Sequence, residues 1–582
     1  MKNLSRILAL FLCVVLLAFA FASCGKKKDG DATTAPNAAE TTKTPDASGN
    51  SSTTTTTTPA TTTVNAWPSI AEEVGEISAA NRKFLIELDN HSDAERNAAN
   101  VKYLQGPDAI QEGVTPAIEQ LIYERNEAAK ALLGLDIEYT LWDDAWNAQT
   151  DHIKTVVQGN AADAPDLFVN MVFDLNNAIK IDGVFLDIWS INNSYFDFDA
   201  KGWMKSWMES YSFTGDRAYV LGSDYFLDML RAMGVLPFNL DLMDQNSAKL
   251  ASAILPQGET LSEGEGISAH FFDYVEEGKW TWDTLGKLCQ AIWVDTDGDG
   301  ANSVGDLLGI ATDRYSGMPS ALIIFSTGEE LTETRIIEDP TDPNYGKQWI
   351  YLKEDTTAVN AIFDAVKGVF DGQGSFVTAG GAAGSTIDSP GIAYLQQKFA
   401  EDTLLFAGPT LLGALEMDVF QQMQSTYSVV PMPKVDAAKD YNTIVHNTAD
   451  CGAINVHTVP EKARAISAYL QYCTENSGEI REEFLQIVAK YKMTTYDQGT
   501  DRMLDLVYEN LANSRDKAVE DASMRKSGER FHGKMKDNEF VWGSAEVAAW
   551  YESARASKQA NIDELLTNWY QRPKVESAPA AE

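Results

Sequence analysis

The densest run of oxygen-bearing side chains is Asp295, Thr296, Asp297, Gly298, Asp299, Gly300, Ala301, Asn302, Ser303, Val304, Gly305, Asp306. Side-chain oxygens fall at positions one, three, five, nine and twelve of a twelve-residue loop, with glycine at six for the sharp turn and a backbone carbonyl at seven. A hard cation takes six to eight oxygens, so this spacing points to calcium held by Asp295, Asp297, Asp299, Ala301, Ser303 and Asp306. The twelfth ligand is Asp rather than Glu, and the following LLGIATD reads as a strand. The loop is therefore expected to stiffen a connection rather than to act as a two-helix sensor; the alternative is an acidic, glycine-rich turn without metal.

Covalent chemistry has less support. Six histidines form no HExxH, no GxSxG elbow occurs, and the glycine-rich stretch at 379–385 lacks the lysine of a phosphate loop. Two carboxylates across a cleft would suffice for glycoside cleavage, which keeps a surface glycoside hydrolase as the alternative to a non-catalytic protein. An adhesion module using the acidic loop is a third reading, although dockerins use a pair of such loops and one is visible. The net charge of -39 and pI near 4.4 repel phosphate backbones, so no nucleic-acid partner is expected.

Targeting is written in the first residues. Lys2 and Arg6 precede an apolar run over 7–21 that is long enough for export and short for a stable span. It ends in Phe21-Ala22-Ser23-Cys24, which looks like a bacterial lipobox whose thiol accepts a diacylglyceryl group before cleavage. Residues 1–23 then form a lipoprotein signal peptide and Cys24 is the lipidation site, placing the chain on the extracellular face of the cell membrane, held by its lipid alone. Lys26, Lys27 and Lys28 add attraction to anionic headgroups. Residues 24–66 are Thr, Ala, Pro and Ser with almost nothing to bury, as expected of a disordered tether, and 574–582 read as a disordered tail.

The elements that would position a site begin after Trp67. The patterning predicts strands over 84–88, 137–141 and 167–172, separated by helices over 119–133 and 145–158, the start of a mostly parallel sheet. Leu285, Leu288, Cys289, Ile292 and Trp293 share one face of a helix that Thr281 would cap. Pro460 opens another, with Ile466, Tyr469, Leu470 and Cys473 on one side. Cys289 and Cys473 are thus core residues, and with Cys451 they form no disulfide or zinc framework.

Several segments carry a resemblance: AADAPDLFV at 161–169, GKWTWD at 278–283, TLLFAGPT at 403–410 and VVPMPK at 429–434. In this order, behind a lipobox, they resemble the extracellular solute-binding proteins of the family-1 carbohydrate type. The resemblance implies an α/β, two-lobed, periplasmic-binding-protein-like (type II) fold with a ligand cleft between the lobes. Carried over, residues 67–224 and 453–528 form the first lobe and 225–452 and 529–573 the second, with crossings near 222–228 and 450–453. The implied function is delivery of a sugar or oligosaccharide to the permease subunits of an ABC transporter, as a monomer and without chemistry.

Sugars present apolar faces and a rim of hydroxyls, so such a cleft needs aromatic platforms and Asp, Asn or Thr beside them. Loops beyond the expected strands supply Asn90, Trp142, Asp143 and Asp174, the expected hinge supplies Tyr225, the cleft-loop segment Thr410, and the final segment Trp542 and Trp550. Each tryptophan serves equally well as ordinary packing, and each carboxylate as a turn or cap.

Overall fold

The structure, a computed structural model, describes residues 66–91, 101–144, 148–179, 183–313, 317–378, 385–386, 389–490, 499–511, 514–524, 530–533 and 547–571. The expected signal peptide at 1–23, Cys24, the expected tether over 24–66 except Ala66, and Trp542 lie outside the described residues. Two main sheets organise the described chain.

The first sheet follows the expected β-α-β-α-β order. Strand β1 (Lys83–His91) leads through α1 (Ala117–Leu133) to β2 (Asp136–Asp144), and α2 (Gln149–Gly159) leads to β3 (Leu167–Met171). Both β2 and β3 pair parallel to β1, so the crossover helices must pack on the sheet. Gly134 closes α1 in the left-handed region at φ 61°, where a side chain would be strained. Directly after β3 the chain turns into α3 (Val172–Ile179).

The chain then leaves the first sheet. Leu221 still bridges Gly452, the short helix α4 (Leu227–Arg231) follows, and Met233 bridges Val445 before β4 (Gly234–Asn239) enters the second sheet. The outgoing and returning segments therefore run side by side: Leu221 N–H donates to Gly452 O at 2.8 Å and His446 N–H to Ala232 O at 2.9 Å.

Along the second sheet, α5 (Trp282–Ile292) precedes β5 (Leu308–Asp313) and α6 (Gly317–Phe325); the hairpin β6 (Thr332–Ile336) and β7 (Gln348–Leu352) then forms a two-stranded sheet of its own before helix α7 (Thr357–Phe370). Strands β8 (Ser375–Thr378), β9 (Leu404–Phe406), β10 (Thr410–Leu411) and β11 (Tyr427–Val430) complete the second sheet. Its order is β10-β4-β9-β5-β8, with β11 also on β4; β5 is parallel to β8 and β9, and β4 runs antiparallel to its neighbours. Thr281 caps α5 by accepting the Thr284 N–H, and Leu285, Leu288, Cys289 and Ile292 are fully buried on its inner face. The motifs GKWTWD and VVPMPK meet: Trp280 Nε1 donates to Pro431 O at 3.0 Å, and the Trp280 ring stacks on Phe406 of TLLFAGPT.

Strand β12 (Asp450–Ile454) returns antiparallel to β3, giving the first sheet the order β12-β3-β1-β2. Helices α8 (Pro460–Glu475) and α9 (Gly478–Lys490) pack on α1, with Ile466, Tyr469, Leu470 and Cys473 fully buried. Next, α10 (Gly499–Glu509) packs on β11 and on the helix Ser268–Glu276. Met503, Leu504 and Val507 thus bury against second-lobe elements, although 499–509 falls within the stretch expected to belong to the first lobe. Helix α11 (Arg515–Ser523) packs on α3 and on the final helix α12 (Val547–Gln571), which itself lies on β7 and α7.

One close approach gives a test of this packing. A methyl group at Gly309 in β5 would lie 2.6 Å from Cys289 Cβ and collide with the α5 backbone. Gly309→Ala is expected to destabilise by about 2–3 kcal/mol through overpacking, read by chemical denaturation; Gly286→Ala, where the new methyl meets only Val369 at ordinary contact distance, should be close to neutral.

Candidate functional site

In open α/β sheets the C-terminal ends of parallel strands are where ligands sit. Here β3 ends at Met171 and β5 at Asp313, and the helices that follow them, α3 and α6, both touch residues 530–533. The Arg530 guanidinium lies over the Phe173 ring at 5.0 Å, two residues beyond β3. His532 packs edge-on to Phe325 of α6, and its Nε2 lies against Gly317, the start of that helix. The turn is held by a single carboxylate: Glu520 accepts from Phe531 N–H at 2.6 Å and pairs with His532 Nδ1 at 2.5 Å. The His532 pairing outweighs burial and holds the Glu520 carboxyl below its ordinary pKa.

A cavity of about 720 Å³ is bounded by Asp228, Arg231, Gln396, Thr410, Glu416 and Thr448, a volume in the range of small-molecule sites; its lining residues Met318 and Thr448 are the chain neighbours of Gly317, which meets His532, and of Asn447, whose carbonyl accepts the Phe173 N–H. Its wall is organised by one cation. Arg231 donates from Nη1 to Asp228 Oδ1 at 2.8 Å and from Nε to Glu416 Oε1 at 3.0 Å; Tyr103 Oη donates to the other Glu416 oxygen at 3.0 Å. Asp228 also accepts the Asp450 N–H at 3.0 Å. Burial works against the Arg231 charge, but Asp228 and Glu416 outweigh it and raise its pKa. Asp228 and Glu416 are thereby committed to fixing helix α4 against the turn at 412–416.

A second cluster closes the junction deeper down. Asp224 accepts from Arg481 Nη1 on α9 at 2.6 Å and from Tyr508 Oη on α10 at 2.9 Å, joining a helix of each lobe to the first crossing. Burial raises the Asp224 carboxyl to about 6 against the pull of Arg481.

The residues expected from the sequence distribute as follows. Thr410 lines the cavity wall. Trp142 sits half-buried in β2 with its ring stacked on His152, ring centroids 3.4 Å apart, and His152 Nε2 meets Glu87 Oε1 at 2.8 Å. Asn90 and Asp143 are partners in the β1/β2 register at the same sheet edge, and their side chains fall outside the described residues. Asp174 is buried in the first turn of α3 and accepts from Thr150 Oγ1 at 3.0 Å. Tyr225 takes a core role: it is fully buried, its hydroxyl 3.3 Å from that of Tyr469 and the Arg125 guanidinium 4.8 Å from its ring centre. Trp550 packs near Phe363 on the flank of the second lobe, away from the residues gathered around the cavity.

Sequence reasoning missed Phe173, Arg231, Glu416, Arg530 and His532. Asp228 and Arg231 at i, i+3 carried a signal for an ion pair; nothing local marks Arg530, because its role depends on where a distant strand ends.

In the acidic loop, Asp295, Asp297 and Asp299 each offer a carboxylate oxygen within 4.8 Å of the others. Asp295 accepts the N–H groups of Gly298 at 2.6 Å and Gly300 at 2.8 Å, while buried Asp306 accepts those of Thr296 and Ser303, both at 2.8 Å. Asn302 ties the loop to the turn before β8, donating to Gly372 O at 2.8 Å and accepting from Gly374 N–H at 2.9 Å.

No protein-family model matches the chain, and no curated protein matches it in sequence. Solved structures do match. The galacto-N-biose/lacto-N-biose I-binding protein of the ABC transporter from Bifidobacterium longum is 11% identical over 83% of this chain and 97% of its own, with a TM-score of 0.45. The ABC substrate-binding protein Lmo0181 from Listeria monocytogenes, solved with cycloalternan, is 13% identical over 83% of this chain and 99% of its own, with a TM-score of 0.43. UspC from M. tuberculosis is 11% identical over 82% of this chain and all of its own, with a TM-score of 0.45. The chain is similar to ABC sugar-binding proteins of known structure.

Proposed function

We propose that this protein is the solute-binding component of an ABC importer, anchored through Cys24 on the outer face of the membrane. It closes two lobes on a sugar or oligosaccharide and hands it unaltered to a permease. The observation that carries the reading is the convergence of Phe173, beyond the end of β3, and α6, beyond the end of β5, on the turn at 530–533, beside a cavity of about 720 Å³. Gln396, Thr410 and Thr448 line the cavity and supply hydroxyl and amide groups for a polyol rim, and partly exposed Phe173, outside that lining and with Arg530 over its ring, is the aromatic group we assign to the same site. The paired crossing segments supply a hinge, and only tighter binding by the closed state can drive it.

A thermal-shift screen of the full chain against mono- and oligosaccharides tests this, because a ligand bound only by the folded state raises the melting temperature. Saturable stabilisation by a saccharide recovered intact supports the proposal. Release of shortened product would replace it with the hydrolase reading, and a flat response across the panel would remove the sugar assignment.

The loop at 295–306 is proposed to hold calcium through Asp295, Asp297, Asp299, the Ala301 carbonyl, Ser303 and Asp306, stiffening the link between α5 and β5. The three clustered carboxylates fit a hard cation, and Asp306 keeps lone pairs beyond those used by the loop N–H groups. Calcium at about a hundredfold its Kd is expected to raise the melting temperature by about 2–3 °C. The double variant Asp297→Asn, Asp299→Asn should lose that response while melting near the calcium-free wild type; a wild type indifferent to calcium would show a metal-free acidic turn.

A further inference from the structure

A groove of about 700 Å³ that shares no lining residue with the cavity is walled by Glu209 and Phe213 of the first lobe, Glu330 and Tyr441 of the second, and Ser514 and Arg515 at the start of α11. The turn bearing Arg530 and His532 is held from further along α11, by Glu520, and the adjacent Asp521 accepts from Asn447, the chain neighbour of cavity-lining Thr448. Five residues of helix, a rise of about 7.5 Å, separate Arg515 from Glu520.

Helix α11 is bound to both lobes. Asp516 accepts from Leu331 N–H at 2.5 Å and Thr332 N–H at 2.9 Å in the second lobe, while Asp521 accepts from Tyr211 Oη and Asn447 Nδ2, both at 2.8 Å, on the side of the first lobe and the crossing. Rigid lobes turning about an axis beside this helix must widen the groove as the cavity side narrows.

Two adjacent residues of α12 span that groove's edge. Trp569 contacts first-lobe residues: its ring sits edge-on to Phe213 and Tyr219 at 5.0 and 5.1 Å, its Nε1 donates to Thr214 Oγ1 at 2.7 Å, and its carbonyl accepts from Arg217 Nη1 at 3.1 Å. Tyr570 contacts the second lobe: its ring stacks on Trp349 at 6.0 Å, and its hydroxyl donates to Gln348 O at 2.8 Å. One peptide bond thus joins contacts on opposite walls of an opening that closure must stretch.

We propose that Trp569 and Tyr570 form a check-strap across this groove, limiting how far the lobes close and holding the solute-free protein open. The inference rests on the hinge motion in the proposed function but not on the identity of the solute. Breaking the second-lobe anchor should shift the free protein toward closure, and by population shift should tighten solute binding by the same factor.

Amide hydrogen exchange on the full chain without solute tests it. Tyr570→Ala removes the anchor; Ala438→Trp, at an exposed groove-lining position of the second lobe, adds a wedge by an independent route. The expected result in either folded variant is a several-fold slowing of exchange at Phe173 and over 408–411, with Ala128→Trp on exposed α1 surface unchanged. Unchanged or faster exchange at both segments in the folded variants would overturn the strap. Slowing with no saccharide bound by any variant would leave the strap standing and reject the sugar assignment alone.

Discussion

Replacing Arg231 by alanine is expected to cost about 2–4 kcal/mol of stability and to weaken solute binding at least about tenfold. The guanidinium is the cation shared by Asp228 and Glu416, and the three side chains are only 19%, 17% and 22% exposed. Removing it leaves two carboxylates at one partly dry wall with no counter-charge. Residual solvent keeps the loss below that of a fully buried pair. The affinity effect follows from position: α4 lies on the first crossing, Glu416 on the turn after β10, and Tyr103 on the first lobe, so one side chain sets the cavity wall and the lobe spacing together. Arg231→Lys keeps the charge but lacks the fork that reaches both carboxylates, so it should recover stability better than affinity. Denaturation and calorimetry on the same samples check both, and an alanine variant as stable as wild type would show that water already screens the cluster.

Acidification should stabilise the fold before it destroys it. Asp516 is buried, accepts two backbone N–H groups and the Thr332 hydroxyl, and has its carboxyl raised to about 6, chiefly by burial, with Glu330 adding to the rise. Asp224 is raised to about 6 by burial despite Arg481. An acid whose folded pKa exceeds its unfolded value takes up protons more readily when folded. Its ionised form therefore costs stability above the folded pKa, and the cost disappears as pH falls through about 6 toward the unfolded value. Between about pH 7.5 and about pH 5 these two groups together should contribute a gain of a few kcal/mol at most. Asp516→Asn cannot ionise, so its stability should be flatter over that window, although the amide sacrifices one acceptor to Leu331 N–H and costs about 1–2 kcal/mol overall. A wild type whose stability falls monotonically over the window would contradict the assignment.

The helix bearing Asp516 shows where pattern reading fails. Its sequence RDKAVEDAS reads as solvated surface, yet Asp516 through Ser523 are all buried. Each charge is answered locally or across the junction: Lys517 by Asp521 at 2.5 Å, Glu520 by His532, and Asp516 by backbone amides. Polarity reports burial only when partners are absent. By contrast, β1 to β3 and the Thr281-capped α5 were legible because one apolar face meets one core, a local property of spacing. The surroundings of Tyr225 are hidden for a related reason: Arg125 and Tyr469 pack around it, and both come from helices distant in sequence. The cavity residues Arg231 and Glu416 are likewise brought together by the crossings, which no single segment encodes.

Closure of both lobes on one intact saccharide is tested most directly by amide exchange on the full chain, with and without the most stabilising sugar of the panel. Simultaneous protection beyond β3 at 172–174 and over 408–411 in the second lobe, with the sugar recovered unchanged, is the predicted outcome. Protection confined to one lobe, or a shortened sugar in the recovered sample, would contradict it.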